Sequence, residues 1–260
     1  MLHWHTLVRL SDAELARIDL AAVNLACAHG LPGADRIDWP STGRKLNDWA
    51  KSCAKFTEAV LPQFRAGRHD PGDTEAKFRV IAMISHLQRD LGVKYNPRCI
   101  PDDAKFLPED TFIHGITDGD GGSCASLPVL YADIGHRLGY PIKLAATKGH
   151  LYCQWIGAKG EWFNIEGSGE GVNFFDDEYF RTGRFAMSKE HEIDFRYNVP
   201  LMPREYLADF LTQRGFGFRN LADHKREAES FAWANEVAPH IPGKRICLIA
   251  AMRDWDEALK

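Results

Sequence analysis

Apolar positions recur at helical spacing through the first hundred residues, give way to short extended runs between 142 and 167, and return to helical spacing beyond 203. The segment SDAELARIDLAAVNLACA, residues 11–28, opens with Ser11 and Glu14, a capping box in which each side chain satisfies a backbone N–H of the other. Leu15, Ile18, Ala22 and Leu25 then fall on one face and predict a helix. A second helix is predicted over Lys45 to Phe64 and a third over Asp73 to Leu91, closed by Gly92. In the third, Phe78, Ile81, Ile84, Leu87 and Leu91 form the apolar stripe, with Ala82 and Ser85 alongside. All of these positions read as core packing.

Residues 93–116 are rich in Pro and Asp and read as irregular. A further helix follows, carrying Leu127, Leu130, Tyr131, Ile134 and Leu138 on one side and ended by Gly139 and Pro141. Proline is tolerated only in a helix's first turn, so Pro128 puts the start at about Ser123 or Cys124. IKLAAT, HLYCQWI and EWFNIEG read as three strands punctuated by Gly and Pro, and GSGEGVNFFDD as the loop that leaves them. Beyond 203, Gly215, Phe218, Phe231, Ala234 and Pro239 fit one helix–turn–helix repeat of the tetratricopeptide kind, with Glu227 where that repeat prefers Ala. A lone repeat cannot bury its own face, so it packs on the core or on a protein partner. The expected organisation is α+β: a helical region over 1–110, a core over 111–200 and a C-terminal helical region over 201–260.

Composition narrows the function. A chain of 260 residues that is 45% hydrophobic can bury a substantial core in one or two domains. A formal charge of -4 leaves no basic footprint for nucleic acid. No run of apolar residues is long enough to cross a membrane, and MLHWHTLVRLSDAEL lacks the apolar core of a secretory signal. The six cysteines (27, 53, 99, 124, 153 and 247) stand singly, so reduced thiols and a cytoplasmic location are expected, with no metal and no cofactor.

One cysteine is placed unlike the others. In TDGDGGSCASLPVLYADIGHRLGYP, residues 117–141, Cys124 follows a run of glycines and aspartates and stands where a helix begins. A free thiol has a pKa near 8.5, and a helix N-terminus or a protonated imidazole favours its anion. The glycines are expected to let the backbone approach a substrate, and the Cys124 N–H to hold an oxyanion. A thiol nucleophile needs a histidine held in orientation by a third group. His150 begins a strand twenty-six residues after Cys124. His136 lies about 18 Å along the same helix and cannot reach. His114 stands in reserve, and His3 and His5 read as a solvated terminus.

A three-residue turn at Ala158-Lys159-Gly160 with a left-handed Gly160 makes facing residue numbers sum to 318. Tyr152 then faces Glu166, Gln154 faces Asn164, and His150 lies diagonal to Glu166 on the same face, within a carboxylate's reach. Glu166 is the expected orienting group and Asn164 the second choice, with Gln154 and Tyr152 as support.

These motifs resemble a known pattern. GGSCASLPVLYADIGHRLGYPIKL, GHLYCQW and EWFNIEG together are similar to the transglutaminase-like superfamily over about residues 117–170. The resemblance implies a papain-like core, in which a nucleophile helix packs on an antiparallel sheet, and the order Cys, His, Asp. Here the equivalents are Cys124, His150 and Glu166, the last standing four residues after Trp162 in place of the family's usual Asp. A helical region before the core and tetratricopeptide-like helices after it are similar to a bacterial branch of that superfamily.

Two function classes follow. One is a thiol enzyme that transfers or hydrolyses an acyl group at an amide of a protein or peptide substrate: a peptidase, amidase, deamidase or transglutaminase. The other is a protein-binding module on the same fold, gripping a partner with its C-terminal helices; it is favoured if Cys124 is buried and remote from His150. A metal site from Cys124, His150 and Cys153 is disfavoured because Cys153 points away from Glu166. DGDGGS lacks the sixth-position Gly and closing Glu of a calcium loop, and GSGEG opens no helix that would seat a phosphate.

Overall fold

The Ser11–Glu14 box forms: the Glu14 N–H donates to Ser11 Oγ at 3.3 Å, and the Ser11 N–H donates to Glu14 Oε2 at 2.8 Å. The computed structural model describes residues 2–68, 74–101, 104–158 and 160–260. The helix expected over 11–28 is two pieces, Asp12–Leu15 and α1, Leu20–Ala28. Distant groups restart the chain there. The Ala21 N–H donates to Asp133 Oδ1 and Asp19 pairs with Arg137, contacts that local periodicity does not carry.

α2 runs from Trp39 to Arg65, six residues earlier than expected, because Asp38 accepts the Ser41 N–H and Pro40 fits the first turn. α3 spans Glu75–Arg89 behind a Thr74 cap; Asp73, the expected start, lies outside the described residues. Its buried face is Ala76, Val80, Met83, Ile84 and Leu87, while Phe78 and Ile81 are only half-buried. Phe78 instead sits against Phe64 at 5.3 Å between centroids, where α2 and α3 meet.

α4, Leu127–Arg137, begins three residues after Cys124, not at it. The residues before it are tied sideways: the Ser123 and Ser126 hydroxyls both donate to the Asp110 carbonyl, at 2.8 and 2.6 Å. That anchoring winds 123–126 into a turn, and Pro128 then takes the second helical position.

The strands are β1 (Ile142–Thr147), β2 (His150–Ile156) and β3 (Trp162–Ile165), antiparallel in the order β1-β2-β3. β2 is central. Gln154 pairs with Asn164 and Cys153 with Ile165, the register anticipated from the turn. Gly160 has φ +79, and the Gly157 N–H closes on the Glu161 carbonyl at 2.8 Å; Lys159 lies outside the described residues.

α5 (Pro203–Asn220), α6 (His224–Val237) and α7 (Pro242–Ala258) complete the chain. α5 and α6 form a helix–turn–helix in which a Cβ on Gly215 would sit 2.7 Å from the Phe231 ring. Glu227 is buried there and held by Arg219 at 2.6 Å. α5 also packs on α1, so one continuous core includes Leu25, Leu87, Leu130, Ile165 and Leu211. The fold is mixed α+β, with helices around a small antiparallel sheet. No helix among the described residues is long and apolar enough to cross a membrane.

Candidate active site

The face of β2 away from α4 carries the site. Cys153 and Trp155 point into the main core, and the Cys153 thiol donates to the Pro128 carbonyl at 3.2 Å. His150, Tyr152 and Gln154 therefore share the other face. His150 Nε2 meets Glu166 Oε2 at 2.5 Å, and both side chains are almost wholly buried. The second carboxylate oxygen is also fixed, accepting the Ser168 N–H at 2.8 Å. Glu166 is thus a carboxylate with one oxygen aimed at an imidazole and no rotational freedom left.

With Nε2 engaged by Glu166, Nδ1 is the nitrogen left to Cys124. The two side chains stand close enough for Cys124 to act on the His150 pKa. Burial by itself lowers the His150 pKa, but contacts with Cys124 and Glu166 and their charges outweigh it, raising it to about 9. Burial likewise raises the Glu166 pKa, and the His150 contact together with the Ser168 N–H reverses this, so its net shift is downward. The imidazole is therefore held protonated and the carboxylate ionised at neutral pH.

Burial holds Cys27, Cys53 and Cys99 at about 12 and also raises Cys153 and Cys247. Cys124 and Cys247 are half-exposed and the other four are buried; only Cys124 stands beside His150.

Of the supporting residues, Asn164 turns away from His150. Its amide donates to the Phe175 carbonyl at 3.1 Å and to Asp177 Oδ1 at 2.9 Å, and its oxygen accepts from Gln154 Nε2 at 2.9 Å. The Tyr152 hydroxyl donates to Asn198 Oδ1 at 3.3 Å and its ring stacks on Phe180 at 3.8 Å. These three brace the loop after β3. His114 is buried and lies outside both cavities that border Cys124; desolvation lowers its pKa against the opposing pull of Glu109, Asp118 and Asp110. His136 holds the Ile142 carbonyl at 2.6 Å, and His3 pairs with His29 at 3.1 Å. No cluster able to hold a metal occurs among the described residues.

Three contributors were not visible in the sequence. Tyr95 comes from the segment read as irregular; its hydroxyl donates to the Cys99 carbonyl at 3.3 Å and lies against Cys124. It arrives through a parallel bridge, in which the Gly122 N–H donates to the Lys94 carbonyl and the Asn96 N–H to the Gly122 carbonyl. The glycines before Cys124, expected to let the backbone approach a substrate, also serve this bridge. Gly121 has φ +128, and a Cβ there would lie 2.6 Å from the Lys94 carbonyl.

Gln88, on α3, gathers the Gly167, Gly169 and Gly171 carbonyls with its amide and accepts the Gly171 N–H at 2.7 Å. It fixes the loop that carries Ser168. Phe185 covers His150 at 5.1 Å between ring centroids. None of the three carried a signal in the sequence, and the first two depend on pairings far apart in the chain.

Two cavities meet at Cys124 and His150. One, of about 840 Å³, lies along Tyr95, Glu166 and Phe185; the other, of about 280 Å³, is walled by α5 and α7. A half-exposed thiol thus stands between a buried imidazole and open space on two sides. Comparison of the chain with family models, with curated proteins and with solved structures found no match.

Proposed function

We propose that this protein is a cysteine-nucleophile enzyme acting on amide or peptide bonds, with Cys124 as nucleophile, His150 as proton shuttle and Glu166 as the group that orients His150. The observation that carries the reading is the continuous chain of contacts from Cys124 through His150 to Glu166 Oε2 at 2.5 Å, opening onto two cavities. A nucleophile, a base within reach and a third group fixing the base are the parts that thiol acyl transfer requires. A turn-and-helix carrying the cysteine and a strand carrying the histidine also agree with the resemblance to the transglutaminase-like superfamily and its papain-like core. A partner-binding module on this fold needs neither a thiol beside a carboxylate-held imidazole nor one that opens onto two cavities.

In the acylation step Cys124 Sγ forms a bond to the substrate carbonyl carbon, and the carbonyl π electrons move to oxygen. The Cys124 N–H would hold that oxygen by giving up its contact with the Tyr95 hydroxyl. His150 then gives its proton to the amide nitrogen, the C–N bond breaks and the amine leaves. Deacylation reverses the roles: His150 takes a proton from water or an incoming amine, the new nucleophile bonds to the thioester carbon, and the C–S bond breaks. Glu166 holds the imidazolium in both steps.

The test is covalent capture. A peptide chloromethyl ketone incubated with the whole chain at neutral pH, followed by peptide mapping, is expected to modify Cys124 and leave the other five thiols untouched. Equal, slow modification of all six would overturn the reading.

A further inference from the structure

The two cavities that share Cys124 and His150 are unlike in charge. At the rim of the larger one stand Arg89, Lys94, Lys148 and Arg184, all exposed and none with a carboxylate partner among the described residues. The acids lining it are Glu166, already engaged by His150, and the exposed Glu170. The smaller cavity is walled by Phe106, Phe195, Tyr197 and Phe216, and its one lysine, Lys244, is neutralised by Asp209. A chain of net charge -4 thus concentrates uncompensated positive charge on one side of its thiol.

The cations are tied to the residues that build the site. Arg184 lies over the Phe185 ring at 4.6 Å, and that ring covers His150. Lys148 is two residues before His150 in the β1–β2 turn, its ammonium donating to the Ala186 carbonyl at 3.1 Å. Lys94 precedes Tyr95 and supplies the carbonyl that pairs with Gly122. Arg89 follows Gln88, which clamps the loop beside Glu166. Four cations converging on a concave surface raise the local concentration of an anionic ligand and speed its capture, and guanidinium groups match a carboxylate's geometry.

We propose that the larger cavity takes an acidic peptide segment on one side of the scissile amide and that the smaller cavity takes an uncharged apolar group on the other. This rests on the thiol-enzyme reading of the site. The C-terminal helices then act as a wall of the substrate cleft.

Two chloroacetyl-capped tetrapeptides, identical except for a Glu-Glu or a Gln-Gln end, test it. Each reacts by forming a C–S bond to Cys124 and expelling chloride, and mass spectrometry gives the rate. The acidic probe is expected to label Cys124 about tenfold faster than the neutral one at low salt, with the advantage fading as salt rises. Lys94→Gln, Lys148→Gln and Arg184→Gln together should bring the ratio close to that of a small thiol in solution. Arg184→Gln alone should bring it part of the way, so the test survives if the triple variant does not fold. Lys51→Gln, Lys55→Gln and Lys225→Gln together, which remove the same charge elsewhere, should leave the ratio high. Labelling of Cys124 at equal rates by both probes overturns the substrate assignment and leaves the thiol-enzyme reading standing. Failure of both probes to label Cys124 overturns that reading, and the assignment with it.

Discussion

The sheet and the C-terminal helices each hold a histidine against a glutamate, and only the pair on the sheet reads as chemistry. On the sheet, His150 meets Glu166 at 2.5 Å with 3% of the histidine side chain exposed. Among the C-terminal helices, His240 meets Glu205 at a comparable 2.8 Å, but His240 is 57% exposed and Glu205 is shared with Arg196 and the Met202 N–H. The distances are close, so distance does not separate the pairs. What differs is the second nitrogen of the ring. Behind His150 stands a half-exposed thiol at the mouth of two cavities, whereas His240 faces water. Glu205 closes the start of α5, a structural task that an exposed imidazole only decorates. A carboxylate–histidine pair becomes a candidate engine when it is dry, held from both sides and aimed at a third reactive group.

Substitutions can break that contrast, beginning with the sheet. Cys124→Ser should cut capture of a peptide chloromethyl ketone by on the order of 10⁴-fold or more, as loss of a nucleophile does. Intact-mass measurement over hours checks it. Glu166→Gln should slow labelling by less than Cys124→Ser does but by at least about tenfold, since an orienting group contributes less than the nucleophile, whereas Asn164→Ala should change it less than about twofold, since Asn164 faces the 175–177 loop. A larger loss for Asn164→Ala would transfer the orienting role to it.

The buried pair also sharpens the comparison through pH. The His150 pKa is raised, so its stabilisation is complete below the unfolded value of 6.5 and is lost as pH rises through about 9. Urea denaturation should show a loss on the order of 3 kcal/mol between pH 6 and 9.5 in the native sequence that is missing in His150→Phe. Glu166, lowered in the fold, contributes above its unfolded pKa and ceases to do so as pH falls through its depressed value, outside that window. The smallest effect belongs to the helices: His240→Ala should cost less than about 1 kcal/mol and leave thiol labelling as it was.

The sheet and its pairing were legible because they are local. Gly160 fixed the turn, the turn fixed the register, and alternation then put His150 and Glu166 on one face. The helix stripes were less so. In α3 the fully buried positions include Val80 and Met83, not Phe78 and Ile81, because the face is chosen by what α2 and the core present to it. The start of α4 was misplaced for a similar reason: Ser123 and Ser126 answer to the carbonyl of Asp110, more than a dozen residues back. Tyr95 and Gln88 were invisible since each reaches the site through backbone contacts with residues 27 or more positions away, which no periodicity records.

In the proposed reading the His150–Glu166 pair keeps Cys124 reactive at neutral pH. The sharpest check is the pH profile of Cys124 alkylation with iodoacetamide in the native chain and in His150→Ala. The expected result is rapid labelling well below pH 8 in the native chain and, in the variant, labelling that becomes comparable only at markedly higher pH. Superimposable profiles for the two chains would contradict it.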